Sequence, residues 1–225
     1  METESDTAPN EEVCQKTIRL CLENGKRLLS DAGLLKDMGS YQSAYALAKI
    51  AQEEFAKALI LKFVNSGSLK WTPEVRRSLN HHVSKQLISV ILDYLSPSTE
   101  DFLQQVKEGN LLIWPKRVAD AMNIYIHEIL RRWQSKNWDW AEDPEWEKTA
   151  KGIYAGAEEK RKHESLYVNI FATGKAASVR DFKEEEVVTE IDRASRFATF
   201  VADTNDSVQF QELAQVLEVL NGALG

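Results

Sequence analysis

The residues best suited to chemistry begin with a basic stretch, RRSLNHHVSK, at 76–85. Histidine transfers a proton near neutral pH, and arginine holds a phosphate and the negative charge that develops on it. Together they suit cleavage of a phosphodiester. Because that reaction requires no metal, we predict neither a metal nor a cofactor.

The same stretch has a simpler explanation. Arg77, His81 and Lys85 recur every four residues on the face opposite the predicted core stripe, as on an ordinary solvated helix. His82 lies between that face and the stripe. The adjacent histidines are a weak zinc motif, since no pair of ligands four residues apart accompanies them. Spacing alone therefore leaves phosphodiester chemistry and a solvated basic surface both open.

A tandem pair of carboxylates, Glu53 and Glu54, is the second candidate. Neighbouring residues on a helix point about 100° apart, so the pair cannot form a close dyad. Glu53 shares a polar strip with Lys49 and Lys57, which indicates an exposed ion pair of little energetic weight. Glu54 falls among apolar residues and should be partly desolvated, so it needs a cation or hydrogen-bond donors. A structural salt bridge is the more common explanation, and a site carboxylate is the alternative.

A third stretch, EKRKH at 159–163, offers a partner for that carboxylate. Arg161 has small and apolar residues at its helical neighbour positions, so we expect it to point inward while Lys160 and Lys162 face water. We therefore hypothesise a buried pair between Arg161 and Glu54. Removing one partner of such a pair typically costs about 3–5 kcal/mol.

The elements that must position these residues are almost all helices. The alanine-rich segment 41–65 is apolar over most of its girth, which predicts a central helix packed on several sides. Gly25 marks either a bend in the first helix or a close helix contact. The sequence YVNIF at 167–171 predicts a short extended stretch before a turn. Apolar spacing predicts helices over 11–36, 41–65, 71–95, 101–108, 116–132, 147–166, 184–203 and 206–220.

Several helix starts carry local signals. Thr72 followed by Pro73 predicts the start of the third helix, and Asp181 three residues before Glu184 resembles a capping box. Cys14 and Cys21 would lie roughly 10 Å apart along the first helix, beyond disulfide reach. We therefore expect both to be core thiols.

Composition predicts one domain over 11–225 after a loose tail at 1–10. With 28 basic and 35 acidic residues the net charge is −7, which argues against an indiscriminate binder of nucleic acid or anionic membranes but allows a local basic patch. No stretch approaches the ~20 apolar residues of a membrane-spanning helix, so we predict a cytoplasmic protein with no membrane contact. The segment 133–146 holds four tryptophans without a clear period and is predicted to be an inserted loop.

Three segments in order resemble a known family. AYALAKIAQEEFAKALIL, HHVSK and KRKHESLYVNIF followed by SVRDFKEEEVVTEIDRA are similar to the AbiV family of abortive-infection proteins in the HEPN superfamily. Glu53, Glu54 and Lys57 match its EE-x-x-K signature, and the histidine-lysine helix is matched by His82 and Lys85. The segment 166–169 matches LYVD except at its last position, where this chain has asparagine.

The resemblance implies an all-α, HEPN-like helical bundle with a tryptophan-rich inserted loop, acting in bacterial defence against phage. Many HEPN proteins are metal-independent ribonucleases with an Arg-x4-6-His motif, often shared across a homodimer. Arg77 to His82 satisfies that spacing, and so does Arg76 to His81.

Two functions from different classes follow. In the first, an RNA-cleaving effector, the candidate catalytic residues are Arg77, His82 and Glu54, and the candidate binding residues are Lys57, Lys85, Arg161 and Tyr167. In the second, the chain is a non-catalytic interaction protein that binds a phage or host translation component through the tryptophan-rich insertion. Members of the family need not be active nucleases, so the enzyme assignment stays open. The expected partners are a second copy of the chain, RNA and a phage-encoded protein.

Overall fold

The computed structural model describes most of the amino-terminal and carboxy-terminal thirds of the chain. The predicted helices at 101–108, 116–132 and 206–220, the insertion at 133–146 and most of the predicted tail lie outside the described residues. The described residues are 8–82, 85–86, 88–89, 92, 96, 152–153, 155–170 and 173–203.

The first two helices, α1 (Glu11–Asp37) and α2 (Tyr41–Asn65), pack against each other as a helical hairpin. Asn10 caps α1, since its side chain accepts a hydrogen bond from the amide of Val13 at 2.9 Å. The short connection contains Gly39 at φ 76°, a conformation that costs glycine little. Both helices were predicted, with α2 matching at both ends and α1 extending one residue further.

The remaining described elements are three helices and one short ladder. They are α3 (Pro73–Asn80), α4 (Ala157–Leu166), β1 (Asn169–Ile170), β2 (Ala176–Ala177) and α5 (Glu184–Asp203). β1 pairs antiparallel with β2, with Asn169 opposite Ala177, so the extended stretch predicted around β1 is present. The all-α fold class is confirmed, with this two-residue ladder between α4 and α5.

The central position predicted for α2 is confirmed. Of its 25 residues, 16 are buried, and α2 contacts α1, α3, α4 and α5. Its buried positions include polar side chains as well as alanines and large apolar residues. Because no broad face of α2 is left to solvent, polar residues on α2 must find partners on the helices around it.

Gly25 marks a close helix contact. A Cβ at this position would lie 2.5 Å from Cε1 of the fully buried Phe55 ring. Glycine at Gly25 therefore lets α1 approach α2 closely. Cys14 and Cys21 are both buried and free, as predicted.

Two predicted helices are interrupted. α3 begins as Thr72 and Pro73 predict, with the Val75 amide 3.3 Å from Thr72 Oγ1, but it ends at Asn80. His81 is not helical, and the described residues of 82–92 are helical again. The predicted helix 147–166 is broken at Gly156, which adopts φ 79° and precedes α4.

Among the helices that the structure describes, none is long and apolar enough to cross a membrane.

Candidate functional site

Glu53 is the centre of the candidate site. It lies on α2 with only 2 % of its surface exposed. Its carboxylate contacts Lys85 Nζ at 3.0 Å, Lys162 Nζ at 2.9 Å and His82 Nδ1 at 2.7 Å. Gln86 donates a further hydrogen bond at 3.3 Å. One buried carboxylate thus joins α2, the helical residues that follow α3, and α4.

These partners keep Glu53 ionised. Burial by itself would raise the pKa of Glu53, but the hydrogen bond and charge of Lys162, the charge of Lys85 and the hydrogen bond of His82 together lower it to about 2. The pKa of Lys162 is raised, because Glu159 and Glu53 outweigh the opposing effect of its burial. The site is therefore a charged network at neutral pH.

A second carboxylate, Glu159, lies beside the first. Lys162 Nζ is 2.7 Å from Glu159 Oε2, and Gln86 donates to the same oxygen at 3.0 Å. The other oxygen, Oε1, lies 3.2 Å from His163 Nε2. Lys162 and Gln86 therefore bridge two carboxylates, each of which holds one histidine. We call the whole set the Glu53 cluster; it consists of Glu53, His82, Lys85, Gln86, Glu159, Lys162 and His163.

Helix geometry explains how two short segments supply most of the cluster. His82, Lys85 and Gln86 stand at i, i+3 and i+4, and so do Glu159, Lys162 and His163. Residues at this spacing share one helix face. In both segments the lysine is buried while the histidine is largely exposed, with side-chain exposures of 54 % for His82 and 60 % for His163.

The cluster also contains a group of the kind that binds metals. One ligand atom each from Glu53, His82 and Glu159 lies within 4.8 Å of the others. However, the Lys162 ammonium already contacts both carboxylates, and Lys85 contacts Glu53 as well. A metal ion would have to displace these ammonium groups, so the donor set favours a lysine-neutralised network.

The family model named HEPN_AbiV, described as AbiV, matches residues 13–199. The chain belongs to the AbiV family. This membership agrees with the predicted all-α HEPN fold and supports an abortive-infection, antiphage role. No curated protein and no solved structure matches the chain.

The AbiV signature pair Glu53 and Glu54 is used differently from the sequence-based prediction. Glu53, predicted to be exposed, is buried in the cluster. Glu54, predicted to be partly desolvated and in need of a cation, has 13 % of its side chain exposed and pairs with Lys57 at 2.5 Å. The prediction that Lys49 and Glu53 lie on an exposed polar strip is wrong, because α4 and α5 cover that side of α2.

Arg161 does not pair with Glu54. It bonds Glu186 on α5, and its guanidinium lies 5.2 Å from the ring centroid of Tyr45 and 5.6 Å from that of Phe182. Lys160 and Lys162 were both predicted to face water. Lys160 is exposed, but Lys162 is buried.

The other candidate residues have mixed outcomes. His82 and Lys85 are brought together, although Lys85 is buried against Glu53 rather than part of a solvated face. Tyr167 is exposed, with its ring centroid 5.5 Å from that of His163. The Arg77 side chain lies outside the described part of the structure, so its proposed role stays a prediction.

A second buried network lies further along α2. Lys49 Nζ contacts Glu158 at 2.8 Å and Glu190 at 3.4 Å, and Gln52 donates to Glu190 at 2.8 Å. Arg193 also bonds Glu190. Burial would raise the pKa of Glu190, but the charges of Lys49 and Arg193 and the hydrogen bonds from Gln52 and Arg193 lower it to about 2. This network connects α2 to α4 and α5, and none of these contacts involves a histidine.

Sequence reasoning missed Glu159, Lys162, His163 and Gln86 as members of the site. A usable signal was present, since Glu159, Lys162 and His163 repeat the i, i+3, i+4 spacing of His82, Lys85 and Gln86. Each segment therefore presents a lysine and a histidine on one helix face.

Proposed function

We propose that this AbiV-family protein cleaves RNA without a metal, and that His82 is the proton-transferring group. The observation that supports the proposal is the contact of 2.7 Å between His82 Nδ1 and the buried, ionised Glu53, together with the 54 % exposure of the His82 side chain. A histidine oriented by a buried carboxylate and open to solvent is suited to general acid-base catalysis.

The contact defines which nitrogen of His82 acts on a substrate. Glu53 accepts the hydrogen on Nδ1, which leaves Nε2 to exchange a proton with bound RNA. In RNA cleavage the 2′ oxygen loses its proton and attacks phosphorus, and the bond from phosphorus to the 5′ oxygen breaks. Lys85 and Lys162 position Glu53 in this scheme, whereas Arg77 stabilises the phosphate.

The RNA strand itself needs contacts outside the cluster, because Lys85 and Lys162 are already occupied by carboxylates. Tyr167 supplies an exposed ring beside His163, on which a base can stack. Lys57 and Arg161 are held by Glu54 and Glu186, so we assign them to ordering the fold around the site.

The decisive experiment compares wild type with His82→Ala on total cellular RNA and transfer RNA in the presence of a chelator. His81→Ala is the matched control, because it removes the neighbouring exposed histidine. We expect wild type and His81→Ala to cleave RNA, and His82→Ala, at a matched melting temperature, to lose about 10²-fold or more in rate.

The same variants are also tested for phage protection in cells. In the RNA cleavage assay, a requirement for a divalent metal would contradict the proposed mechanism. Full protection by His82→Ala, combined with loss of protection on mutating Trp138 or Trp140, would favour the non-catalytic interaction protein instead. Those tryptophans lie outside the described residues.

We further propose that the protein acts in the cytoplasm as a homodimer and that a phage-encoded protein is one of its binding partners. Light scattering at micromolar concentration measures the assembly directly. We expect twice the mass of the chain, and a monomeric mass would remove the dimer from the proposal.

A further inference from the structure

We propose that His163 is a second catalytic residue, which works with His82 as the other half of an acid-base pair. This inference rests on the proposed RNA cleavage and names a residue that neither the family signature nor the sequence patterns assign. It follows from the arrangement of two carboxylate-histidine pairs within one cluster.

The two pairs have matching contacts. His82 Nδ1 lies 2.7 Å from Glu53, and His163 Nε2 lies 3.2 Å from Glu159. In each pair a carboxylate engages one ring nitrogen and leaves the other for a substrate. Both side chains are more than half exposed, at 54 % and 60 %, although their carboxylates are buried or partly buried.

The pairs are held together by shared donors. Lys162 Nζ contacts Glu53 at 2.9 Å and Glu159 at 2.7 Å, and it lies 3.5 Å from His82 Nδ1. Gln86 bonds both carboxylates too. Shared hydrogen bonds and ion pairs thus connect the carboxylate beside His82 to the carboxylate beside His163, which places both imidazoles at one site, as positioned proton transfer requires.

Phosphodiester cleavage by the 2′ oxygen has two proton transfers, and two such groups can each carry one of them. One removes the proton from the 2′ hydroxyl as the new bond from oxygen to phosphorus forms. The other donates a proton to the 5′ oxygen as its bond to phosphorus breaks. The products are a 2′,3′-cyclic phosphate and a 5′ hydroxyl, and the protons balance because one is taken up and one is released.

The experiment uses the full-length protein and a short RNA with a single cleavage position, first mapped with wild type. His163→Asn keeps a hydrogen-bonding side chain beside Glu159 but cannot carry the proton. Lys160→Ala is the matched control, since Lys160 is an exposed residue of α4. At equal melting temperature, we expect His163→Asn to lose about 10²-fold or more in rate and Lys160→Ala to match wild type.

A second substrate tests the role directly. It carries sulfur in place of the bridging 5′ oxygen at the cleavage position, and sulfur leaves without needing a proton. We expect this substrate to restore the rate of one of the two variants His82→Asn and His163→Asn but not the other, because one histidine is the acid and the other is the base.

The outcomes separate the two proposals. If wild type cleaves no RNA, the proposed function itself fails. If wild type cleaves RNA but His163→Asn stays within about twofold of it, or if the sulfur substrate rescues neither variant, RNA cleavage stands and the role of His163 is overturned.

Discussion

At the scale of single residues, the two adjacent glutamates of α2 have different energetic roles. Glu53 neutralises two buried ammonium groups, whereas Glu54 pairs with the partly exposed Lys57. We expect Glu53→Ala to lower the free energy of unfolding by about 3–5 kcal/mol, because Lys85 is left buried without its counter-ion. Glu54→Ala is the matched control and should cost about 1 kcal/mol. Urea unfolding of both variants checks this, and a larger loss in Glu54→Ala would contradict the assignment.

The same residue-scale electrostatics predicts acid sensitivity. The pKa values of Glu53 and Glu190 are lowered from 4.5 to about 2. Their stabilisation is therefore present above pH 4.5 and is lost as the pH falls towards 2, at about 3 kcal/mol for each group. We expect Glu190→Gln to show a shallower fall in unfolding free energy over this window. Glu185→Gln, on the exposed side of α5, should keep the steep slope; equal slopes in both variants would show that Glu190 is not responsible.

The identity of the buried carboxylate could not be read from the sequence. Amphipathic analysis assumes that a helix has one solvent face, and it assigned Glu53 to that face together with Lys49. α2 has no such face, because α4 and α5 cover it with Lys162, Glu158 and Glu190. His82 and Lys85 could be chosen from residue chemistry and family resemblance, but their partner Glu53 lies on another helix, 29 residues from His82 in the chain. Glu53 is also in contact with Lys162, which is 109 residues away in the chain.

At the scale of elements, the contact between α1 and α2 depends on glycine at position 25. In Gly25→Ala the added Cβ meets the Phe55 ring at 2.5 Å, and the ring is fully buried. We expect a loss of about 1–3 kcal/mol from overpacking. Gly33→Ala is the matched control on α1, where a Cβ meets nothing within 4 Å, and it should raise stability by up to about 1 kcal/mol. Thermal unfolding distinguishes the two, and equal melting temperatures would show that the contact is not tight.

Several helix bounds were predicted correctly from the sequence. α2 and α5 occupy the predicted ranges, and α3 starts at the predicted Thr72 and Pro73. The breaks at His81 and Gly156 were missed, since the apolar spacing used to predict these helices continues past both positions. The break at His81 resets the helical phase, so Lys85 does not lie on the face predicted from Arg77 and His81. Lys162 is buried because its ammonium group contacts Glu53 and Glu159.

At the scale of the whole molecule, the site is assembled from three segments that are distant in sequence. α2 supplies Glu53, the helical residues after α3 supply His82, and α4 supplies Lys162 and His163. The net charge of −7 does not oppose such a site, because the cluster pairs its own lysines with its own carboxylates. The fold thus places two exposed imidazoles beside a cluster whose lysines and carboxylates neutralise each other.

Because both histidines belong to one network inside one protomer, complementation between protomers should fail. We expect His82→Asn and His163→Asn to remain inactive when mixed, even after the proteins are unfolded and refolded together so that their chains exchange. A site shared across a dimer would instead regain activity, since some dimers would then combine one intact histidine from each chain. Wild type refolded with an equal amount of either variant is the control for exchange and recovery. RNA cleavage in the mixture of the two variants would show that His82 and His163 act across an interface, and would place the substrate between protomers rather than on the Glu53 cluster of one.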